Sequence, residues 1–238
     1  MGRMSAIWSY PRAVALLGAA LLASAPRAAE ITGYGVLTTD YVFRGVTYSD
    51  GHAAAQAGAD FALDSGLYLG AWASSVDISG GSTIQRDLQV NYYVGYSHEV
   101  QRDWSIGANA VFYTFPGTEG DIDYDFVEYS LVANYDDRFW IEYSHSPDLF
   151  HTGRNTHNFE LYAEWPLPAH LMLGGGAGYY DVSELAGNGY TYWQLGVTRS
   201  FGRFDVDLRY HDTGRAVPII SSYERAKKRI ALSAKVFF

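Results

Sequence analysis

Apolar and polar residues alternate along most of the chain, with the period of two that is typical of β-strands whose two faces meet different environments. The segment FDVDLRYH, residues 204–211, places aromatic and aliphatic residues on one face and two aspartates, an arginine and a histidine on the other. Residues 156–165 and 228–238 follow the same rule, whereas residues 67–76 are ambiguous because both faces carry large apolar side chains. We find no convincing helical period after residue 30, so the pattern predicts an all-β protein.

Strands can be placed from this alternation, and the connections between them alternate in length. The twelve predicted strands span residues 32–44, 54–63, 67–76, 86–100, 104–115, 125–135, 139–146, 156–165, 171–180, 190–201, 203–211 and 228–238. Short turns at 64–66, 101–103, 136–138, 167–170 and around Gly202 alternate with longer loops at 45–53, 77–85, 116–124, 147–155, 181–189 and 212–227. Outer-membrane barrels have an even strand number, short turns on one rim and longer loops on the other. The sequence therefore predicts a single antiparallel up-and-down transmembrane β-barrel of about 12 strands.

A soluble β-sandwich also alternates, because it buries one face of each sheet against the other. The mean hydropathy of −0.12 excludes a helical membrane protein but fits a barrel, whose alternating strands average out. Three features favour the barrel: an export signal, a final Phe238 that matches the terminal signal read by the barrel assembly machinery, and aromatic residues near predicted strand ends. These aromatic residues are Trp104, Tyr135, Phe139, Trp140 and Trp165.

The first 29 residues have the layout of a cleaved secretory signal peptide. Arg3 and Arg12 come before an apolar run over residues 13–23, and small residues follow at positions 25, 28 and 29. The run is shorter than the roughly 20 residues that a membrane-spanning helix requires. We therefore predict a signal peptide over residues 1–29, a barrel domain over residues 30–238, and location in the cell outer membrane of a Gram-negative bacterium.

Net charge and residue usage narrow the possible functions. The formal net charge of −9 argues against nucleic-acid binding, which needs clustered Lys and Arg. The chain has no Cys, so it has no disulfide, thiolate metal ligand or cysteine nucleophile. The glycine-rich stretch 174–178 falls inside a predicted strand with no following helix. We interpret it as leaving space beside interior tyrosines and not as a phosphate-binding loop.

The segment 40–77 carries several motifs that resemble a family of exported proteobacterial proteins of about this length. The motifs are YVFRG at 41–45, SD at 49–50, QxGxD at 56–60, SGxYxGxWxS at 65–74 and VD at 76–77. The family is known as Gcw_chp or TorF-type, and its members are described as uncharacterised proteins or porin candidates. The resemblance implies an exported barrel and carries no catalytic residues to transfer.

Strand parity assigns a set of charged side chains to the barrel interior. The predicted lumen-lining residues are Asp40, Arg44, Asp60, Glu128, Glu142, Glu160, Glu164, Asp205, Asp207, Arg209, Arg229 and Lys235. Carboxylates outnumber basic groups in this set, and an acidic ring in a narrow passage lowers the energy of a cation. We therefore predict a passive channel for small polar or cationic solutes. If the charges instead pair across the lumen, the barrel is closed and has a structural, adhesion or sensing role through its outer loops.

Enzymatic and metal-binding functions have weaker support. A barrel that hydrolyses lipids is less consistent with the sequence, because His145 is flanked by serines that point to the opposite face of its strand. His145, His151 and His157, near Asp148, have the ligand types of a zinc or copper site, but loop histidines at irregular spacing are usually solvated. We predict no catalytic residue, metal site or cofactor. The expected partners are outer-membrane lipid, lipopolysaccharide, the barrel assembly machinery and small polar solutes.

Overall fold

Twelve strands of the computed structural model form one closed antiparallel barrel, which confirms the predicted fold class. The structure describes residues 29–77, 87–116, 123–214 and 225–238, so all but the last residue of the predicted signal peptide lies outside the described residues. Each wall strand pairs with its neighbours in sequence, and the last strand pairs with the first to close the barrel. A separate two-stranded hairpin follows the first wall strand.

The wall strands are 8 to 15 residues long. They are β1 (Glu30–Thr38), β4 (Ala54–Ala62), β5 (Leu67–Val76), β6 (Asp87–Gln101), β7 (Trp104–Thr114), β8 (Phe126–Tyr135), β9 (Phe139–Ser146), β10 (Thr156–Leu167), β11 (Leu171–Asp181), β12 (Tyr190–Phe201), β13 (Phe204–Thr213) and β14 (Arg229–Phe237). The separate hairpin consists of β2 (Val42–Phe43) and β3 (Val46–Thr47). A 3-10 turn, Leu149–His151, and a short helix α1, Ser183–Ala186, lie in two of the longer connections. None of the helices in the described ranges is long and apolar enough to cross a bilayer.

Each wall strand turns one set of side chains outward and the alternate set inward. In β13, Leu208 is 54% exposed on the outer face, whereas the neighbouring Asp207 and Arg209 are buried inside. The same alternation orders the segment 67–76, where Tyr68 and Trp72 are buried and Leu67 and Leu69 are exposed. The outer wall is therefore apolar, and the interior is polar and aromatic.

Inward tyrosines lie flat against inward glycines of the adjacent strands. A Cβ on Gly178 would overlap the ring of Tyr192, and a Cβ on Gly70 would overlap the ring of Tyr93. The same relation holds for Gly58 with Tyr34, Gly95 with Tyr68, and Gly174 and Gly176 with Tyr162. Only glycine leaves room for a ring at these positions. This packing agrees with the interpretation of the 174–178 stretch, and it keeps bulky rings close to the wall.

The connections fall on two rims. The short connections after β4, β6, β8, β10 and β12 define one rim, which we call the short-turn rim, and the longer ones define the long-loop rim. The ends of β1 and β14 meet at the short-turn rim, where Gly33 and Phe238 exchange two backbone hydrogen bonds of 3.1 and 3.0 Å. The ring of Phe238 packs over Gly33, where a Cβ would come within 2.8 Å of it.

One prediction about local structure was wrong. The predicted first strand over 32–44 is too long, because β1 ends at Thr38 and the chain then turns into the barrel interior. Trp140 lies near the end of β9, as predicted, and its side chain is buried inside the barrel. It shares the inward face of β9 with Glu142, as its even spacing requires.

Candidate functional site in the barrel interior

The first long connection folds into the barrel as a hairpin. Residues 40–49, which we call the inserted hairpin, contain β2, β3 and a two-residue turn of Arg44 and Gly45. Both turn residues have positive φ, 47° and 79°, as a type I′ hairpin turn requires. Tyr41, Phe43 and Val46 are buried, so the hairpin is packed inside the barrel at the long-loop rim.

An ion pair joins the tip of the inserted hairpin to the far wall. The Arg44 guanidinium donates two hydrogen bonds of 2.8 Å to the two carboxylate oxygens of Glu128, and the side chains are only 6% and 3% exposed. The guanidinium also lies 4.8 Å from the ring centroids of Phe43 and Tyr180. Glu128 is on β8, which is five strands from β1 in one direction and seven in the other. The inserted hairpin therefore crosses the lumen.

The base of the inserted hairpin is fixed by a second ion pair. Arg229 of β14 donates a 3.0 Å hydrogen bond from Nη1 to Asp40 Oδ2. The other oxygen of Asp40 accepts hydrogen bonds from the hydroxyls of Thr47 and Ser49, and the Ser49 hydroxyl in turn accepts one from the Tyr41 amide. These bonds hold the two ends of the inserted hairpin together beneath β1.

Further contacts close the space between the inserted hairpin and the wall. The Tyr41 hydroxyl donates to Gln89 of β6 at 3.1 Å, and the Thr213 hydroxyl of β13 donates to the Gly45 carbonyl at 2.6 Å. A side chain at Gly45 would come within 2.7 Å of Tyr192 Cβ on β12. Contacts on β6, β8, β12 and β13 place the hairpin against several sides of the barrel. The half of the barrel next to the long-loop rim is therefore largely filled.

Closer to the short-turn rim, Arg209 and Asp207 form a buried pair on β13. Arg209 donates from Nε and Nη2 to the two Asp207 oxygens at 3.1 and 2.9 Å, and the side chains are 2% and 3% exposed. Asp207 also accepts a 2.7 Å hydrogen bond from Thr198. Arg209 Nη1 donates to the Tyr162 hydroxyl at 3.0 Å, so this pair connects β10, β12 and β13 across the interior.

A fourth basic group lies near the seam between β1 and β14. The Lys235 ammonium is 4.0 Å from the ring centroid of Tyr34 and 4.6 Å from that of Phe237. Asp60 and Asp205, both buried, face the same interior, and the Tyr93 hydroxyl donates a hydrogen bond to Asp60. Cation–π contacts and nearby carboxylates offset the cost of desolvating the ammonium.

Three further carboxylates lie on the adjacent strands β9 and β10. Glu142 and Glu160 are register partners on the inward face, and both are half-buried, while Glu164 is buried nearer the short-turn rim. Like charges directly opposite each other on neighbouring strands repel unless water or cations screen them. The interior carries its excess negative charge on this side.

The structure thus brings the charged candidates together in groups: Arg44 with Glu128, Asp40 with Arg229, Asp207 with Arg209, Lys235 near Asp60 and Asp205, and Glu142, Glu160 and Glu164 on β9 and β10. Asp40 and Arg44 reach the interior from the inserted hairpin and not from the wall strand on which they were predicted.

Sequence reasoning missed the aromatic and amide groups that hold the inserted hairpin. Tyr41 lies within the hairpin, and Tyr113 and Gln89 are buried against it. Beside the hairpin, Arg225 donates a hydrogen bond to the Asp77 backbone carbonyl and forms an ion pair with the Asp77 carboxylate. The Arg-Gly pair at 44–45 could have predicted the hairpin, because a glycine next to a strand segment is typical of a tight turn.

The histidines do not form a shared site in the described residues. His145 and His157 stack on the outer face with centroids 4.7 Å apart, while His151 lies 3.4 Å from Asp123 and 3.8 Å from Asp148. No group of three or more potential ligands able to hold a metal ion occurs in the part of the chain that the structure describes. The serines on either side of His145 are buried on the inward face of β9, away from its ring.

A closed twelve-stranded barrel with an apolar exterior and a charged interior defines a barrel of the porin type by fold. A family model described as bacterial protein of unknown function (Gcw_chp) matches residues 23–238, so the chain belongs to the Gcw_chp family. No curated protein sequence matches the chain.

Solved structures support the fold. A KdgM porin is similar with a TM-score of 0.53 at 8% identity, covering 87% of this chain and 98% of the porin. A KdgM porin in complex with disordered oligogalacturonate gives 0.55 at 7% identity, with the same coverage. The toluene transporter TodX of Pseudomonas putida gives 0.54 at 9% identity, covering 98% of this chain and 93% of TodX.

Proposed function

We propose that the protein is an outer-membrane β-barrel, exported through a cleaved signal peptide, that lets small polar or cationic solutes cross by passive diffusion. The observation that carries the proposal is the separation of an apolar outer wall from a charged interior. Outward side chains such as Leu131, Ile141, Leu161 and Ile230 are more than half exposed, which is unfavourable in water and favourable in hydrocarbon.

Aromatic side chains at the two ends of the outer wall support a membrane location. Near the short-turn rim these are Trp104, Tyr135, Phe139, Trp165, Phe201 and Phe204. Near the long-loop rim they are Tyr129, Phe159, Tyr179 and Trp193. Membrane barrels carry such girdles at both interfaces, and a tilted membrane-spanning strand needs about 9–11 residues. On this proposal, lipid and lipopolysaccharide contact the outer wall, and Phe238 is read by the barrel assembly machinery.

Buried polar atoms without a protein partner support a hydrated interior. Asn109 Oδ1, Trp140 Nε1, Asn158 Nδ2 and Gln194 Oε1 are buried and have no hydrogen-bond partner within the described protein. Buried polar atoms of this kind are usually satisfied by water. These atoms lie on β7, β9, β10 and β12, in the half of the barrel that also carries Glu142 and Glu160, and Asn91 Nδ2 on the neighbouring β6 is a further such atom. The solute path is proposed to follow this side.

The charge of the interior sets the expected selectivity. Of the predicted lumen residues, eight are carboxylates and four are basic. The KdgM porin solved with oligogalacturonate was bound to an acidic sugar chain, and an interior with excess carboxylates would repel such an anion. Cations and uncharged polar solutes are therefore the proposed cargo.

Planar-bilayer recording in a salt gradient tests this function. The purified mature protein is expected to give discrete conductance steps and a reversal potential whose sign indicates a preference for cations. The double variant Glu142→Gln with Glu160→Gln should shift that potential toward zero, while Asp64→Asn, in an exposed turn, should not. Absence of conductance, or anion preference, contradicts the proposal.

A closed barrel with a structural, adhesion or sensing role is the second candidate, and the inserted hairpin favours it. The hairpin crosses the lumen and its ion pairs are buried, which is the arrangement of a sealed interior. Swelling of liposomes in small sugars separates the two functions. Swelling supports the channel, and its absence at high protein density supports the closed barrel.

A further inference from the structure

We propose that the inserted hairpin is a displaceable plug, held across the lumen by the ion pair between Arg44 and Glu128, which acts as its latch. This proposal rests on the proposed channel function and assigns its regulation to residues 40–49. Opening means rotation of the hairpin out of the lumen about its two attachments, β1 and the segment 50–53.

The inserted hairpin is not part of the barrel sheet. Its two strands, β2 and β3, have two residues each and pair only with each other in the described structure. An isolated two-stranded hairpin is at best marginally stable in water, and this one is far shorter than most. Its position therefore depends on its side-chain contacts with the wall and on a few backbone bonds, such as Asp77 N to the Tyr48 carbonyl at 2.7 Å.

The tip of the inserted hairpin is in an unfavourable backbone conformation. Arg44 has φ of 47°, a left-handed value that non-glycine residues other than Asn and Asp seldom adopt. The two hydrogen bonds to Glu128 and the two flanking rings offset this cost. If Glu128 loses its charge, the buried Arg44 guanidinium has no counter-ion, and the unfavourable φ of Arg44 is no longer offset. Both are relieved when the tip moves toward solvent.

The latch is placed so that its release would open the half of the lumen that is filled. Val111 of β7 is the register partner of Glu128 on the inward face and is only 2% exposed. It belongs to the same buried cluster as Tyr41 and Phe43 of the inserted hairpin. The half-buried Glu142 and Glu160 lie further toward the short-turn rim. Moving the hairpin outward would therefore expose Val111 first and widen the passage between the two rims.

Cysteine labelling tests the plug without requiring conductance. The chain has no Cys, so Val111→Cys introduces a single thiol of similar size at a shielded position. Its reaction with a hydrophilic maleimide is measured in proteoliposomes, alone and combined with Glu128→Gln or Arg44→Gln. Loss of the latch is expected to raise the labelling rate at least about tenfold, because removing one partner of a buried ion pair is strongly unfavourable to the closed state.

Two controls separate latch release from general loosening. Asp207→Asn breaks an equally buried ion pair away from the inserted hairpin and should leave the labelling of Cys at position 111 within about twofold. Arg154→Cys, at an exposed position, should react at the same rate in every background. An unchanged rate at position 111 in both latch variants, or an equal rise with Asp207→Asn, would overturn the plug.

Conductance then connects the plug to the channel. A variant in which residues 39–53 are replaced by Asn-Gly joins Thr38 to Ala54, which are register partners, through a two-residue turn. This variant and Glu128→Gln should conduct several-fold more than the natural chain. Equal conductance in all three overturns the plug while leaving the channel intact. No conductance from the shortened barrel overturns the channel proposal itself.

Discussion

Asp207→Asn tests how dry the interior is at the pair formed by Asp207 and Arg209. Asparagine keeps the size of the side chain but removes the charge that holds Arg209, and the pair is almost fully buried. It also weakens the acceptor of the 2.7 Å bond from Thr198. Breaking one side of a buried ion pair typically costs about 3–5 kcal/mol, because the remaining charge is left without a partner.

Equilibrium urea unfolding in lipid vesicles, followed by tryptophan fluorescence, measures this loss. With a slope of about 3 kcal/mol/M, the midpoint should fall by at least about 1 M. Asp64→Asn removes the same charge in an exposed turn and should change the free energy of unfolding by less than about 0.5 kcal/mol. A loss below about 1 kcal/mol for Asp207→Asn would refute the reasoning, because it would mean that water replaces Asp207 as the partner of Arg209.

Three further predictions concern packing, closure and pH. Gly178→Ala should lower the free energy of unfolding by about 1–3 kcal/mol in the same urea assay, because the added methyl group would overlap the Tyr192 ring. Gly35→Ala is the control and should be nearly neutral, because the nearest atom to its added methyl group is 3.8 Å away. Phe238→Ala removes the ring that packs over Gly33, so it should lower the fraction of folded, heat-modifiable protein in bacterial outer membranes. An unchanged fraction would contradict both the packing role of Phe238 and its proposed role in assembly. Burial raises the pKa of Asp137 in the turn after β8, and the nearby carboxylates of Asp136, Asp103 and Glu99 raise it further. Ionisation of Asp137 therefore opposes folding above that pKa, and this penalty disappears as the pH falls through it. Asp137→Asn should raise the urea midpoint at pH 7 but not in acid, and a gain that persists in acid would contradict this explanation.

The barrel could be predicted from the sequence because one rule governs almost every wall strand. In β13 and β10 the alternation is strict, so strand positions and the alternating turn lengths followed directly. The segment 67–76 was ambiguous because Tyr68 and Trp72 lie opposite leucines. The structure explains the large inward residues, since the Tyr68 ring occupies the space that Gly95 leaves on the neighbouring strand.

The inserted hairpin could not be predicted from alternation. Tyr41, Val42 and Phe43 are aromatic or β-branched residues that favour strands, so they extended the predicted strand to Arg44. β1 ends where the Thr38 hydroxyl donates a hydrogen bond to the Asp40 carbonyl. The chain then reverses direction at the turn of Arg44 and Gly45, where both φ angles are positive. The partner of Arg44 is 84 residues away, and no local pattern reports such a contact.

The most direct measurement of the membrane assignment is a single-cysteine spin-label scan of β10, residues 158–165, in lipid bilayers. Since the chain has no native Cys, each label reports one position. Labels at 159, 161, 163 and 165 should collide with oxygen, which dissolves in hydrocarbon, and labels at 158, 160, 162 and 164 should not. Equal oxygen accessibility at odd and even positions, or greater accessibility to a water-soluble nickel reagent at the odd ones, would contradict the assignment of a lipid-facing wall around a polar interior.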